Sequence, residues 1–198
     1  MPRKSDTRER MVRSAAALLR EYGASATSID RVLAHSGAPR GSVYHHFPGG
    51  RAQLIEEAAA LAGDFISSRI EVAARSEDPG AVIEKFVSLW RTWLGDSNFR
   101  AGCPIVAVTV SNNDDTPRLA RSAADVFGRW TDGLATSFAG HGLSAARARR
   151  LAKFVIAAVE GAVVMCRAER SFEPLDAAAA EIRELLAELT AKEKRVHC

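Results

Sequence analysis

Two chain breaks, Ser36-Gly37-Ala38-Pro39 and Pro48-Gly49-Gly50, stand so close together that any helix between them has room for one or two turns only. A helix that short does not hold in water, because nucleating it costs more than its few hydrogen bonds return. The segment Gly41-Ser42-Val43-Tyr44-His45-His46-Phe47 must therefore be held by helices around it. Pro39 is compatible with its first turn, where the missing N–H would have no partner anyway.

The flanking sequence supplies those helices. Asp6 and Glu9 have the spacing of a capping box, and Met11, Ala15, Leu18, Leu19 and Tyr22 recur at helical intervals up to Gly23, which predicts a helix over 6–22. Thr27 is an N-cap candidate with Asp30 three residues on, and Ile29, Val32 and Leu33 give a second, short helix ending at Ser36-Gly37. A long helical pattern follows over 51–75, with the length of a strut between two halves.

Asp78-Pro79-Gly80 reads as a linker, and Val82, Ile83, Phe86, Val87, Trp90 and Leu94 lie on another helix closed by Gly95-Asp96. Further helices are expected at about 103–111, 117–139, 144–170 and 175–192. The apolar run Ile105 to Val110 fits helix or strand by pattern, and its helical surroundings favour helix. The expected fold is all-α with about nine helices. A head over 1–50 precedes a helical region over 51–198, with the fourth helix as connector.

Charge is unevenly placed. Up to residue 55 there are nine basic residues against four acidic ones, and the remainder carries 18 basic and 20 acidic residues, so an excess of positive charge sits in the head. That is where a polyanion would bind. Cys103, Cys166 and Cys198 are an odd number without C-x-x-C spacing, which points to a reducing compartment and to neither disulfides nor zinc. No apolar run of membrane-spanning length occurs, and MPRKSDTRERM lacks the apolar stretch of a secretion signal, so a cytoplasmic protein is expected. No nucleophile elbow, phosphate loop, dinucleotide fingerprint or H-E-x-x-H is written in the chain, so nothing supports an enzyme or a cofactor. His45 and His46 diverge by about 100° on a helix and have no third ligand nearby, so no metal is expected.

Two short helices across the tight turn AHSGAP have the form of a helix-turn-helix, whose second helix enters the major groove. The string ATSIDRVLAHSGAPRGSVYHHFPGGRAQLIEEA resembles the DNA-binding domain of TetR-family repressors, over about the first 60 residues and most specifically from Gly41 to Phe47. The resemblance implies that Thr27 and Ser28, with Arg40, Ser42, Tyr44 and His45, meet DNA. Arg51 stands where the family usually has a lysine. Physically, Tyr44 and Arg51 suit phosphate, Arg40 suits a guanine edge, and Gly41 permits close approach while Ser42 and His45 reach bases or phosphates. Tyr44 and Phe47 also suit a helical core, Phe47 above all. Arg13 and Arg20 read as a solvated face, and Arg3 and Lys4 as an arm for phosphate or the minor groove. Pro39 departs from the Ser or Thr common in the family, so a side-chain cap on the third helix is lost.

Beyond the head, Phe65, Phe86, Trp90, Trp93, Cys103, Val106, Phe127, Trp130 and Met165 supply large apolar side chains on several helices. Most of these read as core. Family resemblance implies that such residues line a pocket for a small apolar or aromatic inducer, whose binding tilts the fourth helix. AGCPIVAVTV resembles the LmrA/YxaF branch, in which Gly-Cys-Pro opens the sixth helix, and Cys103 reads as a small hydrophobe rather than a redox sensor. Val155, Ala158, Val159, Ala162, Ile182, Leu185, Leu186 and Leu189 either pack within a subunit or build the four-helix homodimer interface that the family implies. A dimer also suits the DNA, since two recognition helices read a palindromic operator. Three functions follow: a repressor released by a small ligand, a DNA-binding regulator without an inducer, and a helical enzyme or carrier.

Overall fold

The computed structural model describes residues 4–76, 78–111 and 117–196; Arg3 and Cys198 lie outside them, as does the side chain of Lys4. Within the described residues every regular element is an α-helix: α1 (Lys4–Ala26), α2 (Ile29–Ser36), α3 (Ser42–His46), α4 (Gly50–Ser76), α5 (Pro79–Asp96), α6 (Pro104–Val110), α7 (Pro117–Gly140), α8 (Ala145–Glu169) and α9 (Glu173–Val196). The ambiguous run at 105–110 is helical.

Several boundaries differ from expectation for identifiable reasons. α1 starts two residues before Asp6, so Asp6 is not its N-cap. Gly23 does interrupt it, at φ 79 and ψ 174, although one more helical turn follows to Ala26. The N-cap of α2 is Ser28 rather than Thr27, with Ser28 accepting from the Arg31 N–H at 3.2 Å. Pro39 lies in the turn before α3 and not in its first helical turn, since the helix opens only at Ser42. Asp78 is more than a linker residue: its carboxylate accepts from the N–H groups of Gly80 and Ala81 and caps α5, with Pro79 as the first helical residue.

The chain forms two compact units. One comprises the chain through Asp64 together with 103–126, and the other comprises 65–102 with the residues from Phe127 onward. In the first, α1 packs against α2 and α6. Its core holds Met11, Ala15, Leu18 and Leu19 of α1, Val32 and Leu33 of α2, Val43 and Phe47 around α3, and Leu54, Ile55 and Ala58 of α4, all of them buried. Gly63 is required here, because a Cβ would sit 2.6 Å from a Val126 methyl.

The second unit packs α8 against α9 and α5 against both. Its centre is a chain of aromatic rings. Phe86 meets Trp90 and Trp130 at centroid separations of 6.2 and 6.3 Å, Phe127 meets Trp130 at 5.4 Å, and Trp90 meets Trp93 at 5.1 Å. All four pairs are edge-to-face, the arrangement favoured by ring quadrupoles. α4 and α7 approach so closely that a Cβ on Gly133 would lie 2.8 Å from Ile70.

Phe47 is fully buried beside α3 and has the Arg8 guanidinium over its ring at 5.1 Å. Replacing Phe47 with alanine is expected to destabilise the first unit by about 3–5 kcal/mol, the usual cost of a buried phenyl cavity. Urea denaturation followed by circular dichroism reads this directly, and a loss below about 1 kcal/mol would show that the ring does not anchor the short helix.

Candidate nucleic-acid interface

α3 has five residues and no side-chain cap, so its position is set from outside. Val43 and Phe47 point inward and are buried, while Tyr44 and His45 point outward, with Tyr44 70% exposed. The Tyr44 ring lies beside Gly50, at the start of α4. Gly37 gives α2 a left-handed C-cap at φ 65, its N–H donating to the Leu33 carbonyl at 2.9 Å, and this turns the chain toward α3. The Ser42 hydroxyl donates to the Pro39 carbonyl at 2.5 Å, closing the turn in place of a cap.

The eight residues expected at DNA do not share one environment. Ser28, Arg40, Gly41, Tyr44 and His45 are exposed and Ser42 is half-buried. Thr27 is a correction: it is 1% exposed, and its hydroxyl donates to the Gly23 carbonyl at 2.7 Å, so it is a joint inside the head and not a surface contact. Arg40 is well exposed but pairs with Asp30 at 3.1 Å, a partner that its sequence position did not signal.

Arg51 is exposed too, but its guanidinium already has partners within the head. Its Nε donates to the Thr27 carbonyl at 2.9 Å and a terminal guanidinium nitrogen donates to the Ala24 carbonyl. These carbonyls belong to the end of α1 and the connection to α2, where the helix dipole leaves negative partial charge. A planar fork can hold two acceptors in this way, whereas an ammonium acts as a point charge. Arg51 therefore ties the start of α4 to the α1–α2 joint, and sequence reasoning missed the role because the two carbonyls lie 24 and 27 residues away.

Further supports were also unforeseen. Arg8 donates to Glu57 at 2.6 Å while covering Phe47, and the Gln53 side-chain oxygen accepts from the Gly49 N–H at 2.9 Å. Arg31 lies over the Tyr22 ring at 4.6 Å and donates to the Ala26 carbonyl at 3.2 Å. Exposed at the start of α2, Arg31 is a cation beside Ser28 that no sequence motif marks. The rings of His45 and His46 meet edge-on at 5.1 Å, and among the described residues no group of His, Cys, Asp and Glu is arranged to hold a metal ion.

The residues expected to line an inducer pocket are likewise divided. Trp90 and Trp130 are fully buried in the aromatic chain and Phe86 nearly so. Phe65 and Trp93 border a groove on the α4–α5 surface. Cys103 and Val106 belong to the first unit, and Met165 is 53% exposed on the outside of α8. Cys166 is the buried thiol of the second unit; desolvation pushes it above its ordinary value, partly offset by a backbone hydrogen bond involving Leu175.

The expected dimer residues also need correction. Val155, Val159, Ala162, Ile182 and Leu186 are buried inside the second unit, so they are core of the subunit itself; Ala158, Leu185 and Leu189 are half-buried. Sequence periodicity finds an apolar stripe but does not say which of two apolar faces the neighbouring helices cover. The uncovered face of α8 carries Phe154, Ala157, Gly161, Val164 and Met165.

Residues 12–58 match the family model described as bacterial regulatory proteins, tetR family, and residues 79–181 match that of the LmrA/YxaF-like transcriptional regulator C-terminal domain. An HTH-type transcriptional regulator of Mycobacterium tuberculosis is 45% identical, the alignment covering 90% of this chain and 93% of the relative. The HTH-type transcriptional regulator LmrA of Bacillus subtilis is 25% identical over 86% of this chain and 91% of its own. Among solved structures, a TetR transcriptional regulator from Chloroflexus aurantiacus superposes with a TM-score of 0.77 at 26% identity, covering 94% and 97% of the two chains. One from Legionella pneumophila gives 0.81 at 20% identity, covering 89% and 95%.

Fold, exposed short helix and relatives together define a helix-turn-helix transcriptional regulator. More specifically, the chain belongs to the TetR family, with a C-terminal region of the LmrA/YxaF-like kind. No helix among the described residues is long and apolar enough to cross a membrane.

Substituting Arg51 with alanine is expected to cost about 1 kcal/mol of head stability, the usual scale for a partly exposed hydrogen-bonded pair. DNA affinity should fall with it, while the slope of log affinity against log salt stays unchanged. A slope reduced by about one unit would instead mark Arg51 as a phosphate ligand.

Proposed function

We propose that the protein is a cytoplasmic repressor that binds a palindromic operator as a homodimer and leaves it when a small, largely apolar ligand binds. The observation that carries the DNA-binding half is the division of α3: Val43 and the adjoining Phe47 are buried, and Tyr44 and His45 face outward. In this reading α3 enters the major groove. Tyr44 donates its hydroxyl to a phosphate beside the α4 N-terminus, where the positive end of the helix dipole also favours an anion. Arg40, released from Asp30, reads a guanine edge, and Ser42 and His45 complete the surface. Ser28 and Arg31 at the start of α2 meet the flanking backbone.

Homodimerisation rests on α8. Phe154, Val164 and Met165 are each more than half exposed, and from Phe154 to Met165 this face holds no charged residue. Gly161 has nothing within 4 Å of where a Cβ would sit, so a second helix can approach closely there. A stripe of that kind, left bare on one chain, fits the antiparallel meeting of two copies, with Ala158, Leu185 and Leu189 at its margin. Ligand response is supported by the family membership and by the aromatic content of the second unit.

Two measurements test the proposal. Tyr44→Ala is expected to weaken operator binding at least tenfold in a mobility-shift assay while leaving the oligomeric state unchanged, and undiminished affinity would remove Tyr44 from the interface. Gly161→Arg is expected to convert a dimer to monomers in analytical ultracentrifugation with the helical content retained. A dimer that survives it places the interface elsewhere.

A further inference from the structure

Asp30 is the only acidic residue between Glu21 and Glu56, the stretch that carries α2, the turn and α3. A carboxylate there opposes binding to a polyanion, so its presence calls for a physical reason. Capping is not that reason, because Ser28 is the N-cap of α2 and accepts from the Arg31 N–H at 3.2 Å. The helix dipole favours an acid in this first turn, but that gain does not depend on where the carboxylate points. The Asp30 carboxylate reaches across the turn to Arg40, at 3.1 Å, with the two side chains 73% and 84% exposed. An ion pair so open to water contributes little to stability, so its members part easily. Arg31, the neighbouring cation, is directed elsewhere, over the Tyr22 ring and to the Ala26 carbonyl. The main chain under Arg40 is held on both sides: Ala38 is buried with its N–H donating to the Ser36 hydroxyl at 3.3 Å, and the Ser42 N–H donates to the Pro39 carbonyl at 3.0 Å. Rearrangement of the pair is thus a matter of side chains, and where Arg40 meets a base the Asp30 carboxylate stands close by.

We propose that Asp30 is a specificity-determining residue, which reads the cytosine of the G·C pair whose guanine Arg40 reads. The inference deepens the DNA-binding reading and rests on it, since it takes Arg40 as a base contact. Once Arg40 has left, the carboxylate has acceptors only and stands near phosphates that repel it. In the major groove two kinds of group can donate to it, the N4 amino group of cytosine and the N6 amino group of adenine. When Arg40 takes guanine O6 and N7, the base across the pair is cytosine, whose amino group lies beside that O6 on the same groove edge. Arg40 and Asp30 then exchange each other for a matched acceptor and donor, and neither charge is stranded. An A·T pair in the same orientation sets the adenine amino donor against Arg40 and the thymine O4 acceptor against Asp30, so both contacts are mismatched. A phosphate in place of the base would satisfy Arg40 and repel Asp30.

The test selects duplexes for the full chain from a random-sequence pool, then measures the affinity of the wild type and of Asp30→Ala for the enriched duplex with each G·C pair replaced by A·T in turn. The variant keeps the Ser28 cap and is expected to fold, which its melting temperature verifies. At one G·C pair per half-site the replacement is expected to weaken the wild type about tenfold, the scale of one base contact, and the variant much less, with all other positions unchanged between the two proteins. N4-methylcytosine at that pair, which blocks the amino hydrogen facing the groove, is expected to weaken the wild type and not the variant. Discrimination by Asp30→Ala equal to that of the wild type at every pair, a loss spread evenly over all positions, or a wild type indifferent to N4-methylcytosine at every cytosine overturns the role of Asp30. The last of these needs no variant. Enrichment of a sequence that Asp30→Ala reads as the wild type does removes Asp30 alone, whereas a wild type that enriches no sequence removes the operator reading and Asp30 with it.

Discussion

Burial of Val43 and Phe47 under a five-residue helix is the interaction on which the rest of the account depends. Alone, Ser42–His46 would not remain helical. Held by two apolar side chains sunk into the α1, α2 and α4 core, it becomes a rigid projection whose remaining side chains have no inward direction left. Exposure of Tyr44 and His45 is thus a consequence of how the helix is anchored. Each buried apolar side chain stabilises this arrangement by roughly 1.5–3 kcal/mol, enough to hold so short an element in one place.

Polar contacts then fix the angle at which the projection is presented. Thr27 closes onto Gly23, Arg51 reaches back to Ala24 and Thr27, Arg8 bridges to Glu57 across Phe47, and Gln53 holds the Gly49 N–H. Most of them involve backbone at the ends of helices, where peptide groups lack intrahelical partners. One set of contacts therefore satisfies the helix ends and aligns α2, α3 and the first turns of α4. A reader of DNA needs that alignment, because a base edge is recognised only when several donors and acceptors are in register together.

Much of the fold was legible from the sequence because helix breaks and apolar periodicity are local properties. Gly23, Ser36-Gly37, Pro48-Gly49-Gly50 and Gly95-Asp96 mark real interruptions, and the all-α reading with its short third helix stands. Family membership was legible for the same reason, being written in one continuous string from Ala26 to Ala58. What local pattern does not carry is partnership across the chain. Thr27 looks like a surface contact until its burial against Gly23 is known, and the carbonyls that the exposed Arg51 holds are equally invisible in the sequence. Val155, Val159 and Ile182 look like an interface until the neighbouring helices are seen to cover them, and the bare face of α8 is the one with Phe154 and Gly161. Nor does the sequence show that Trp90 and Trp130 both pack edge-on against Phe86.

The most direct test of the central claim is a chemical footprint of the full chain on the DNA flanking its own gene. Two protected major-groove segments on one face of the duplex, their centres about 34–36 Å or a multiple of that apart, are predicted for a pair of short helices related by a twofold axis. A single protected segment, protection confined to the minor groove, or no protection at low salt would contradict the account.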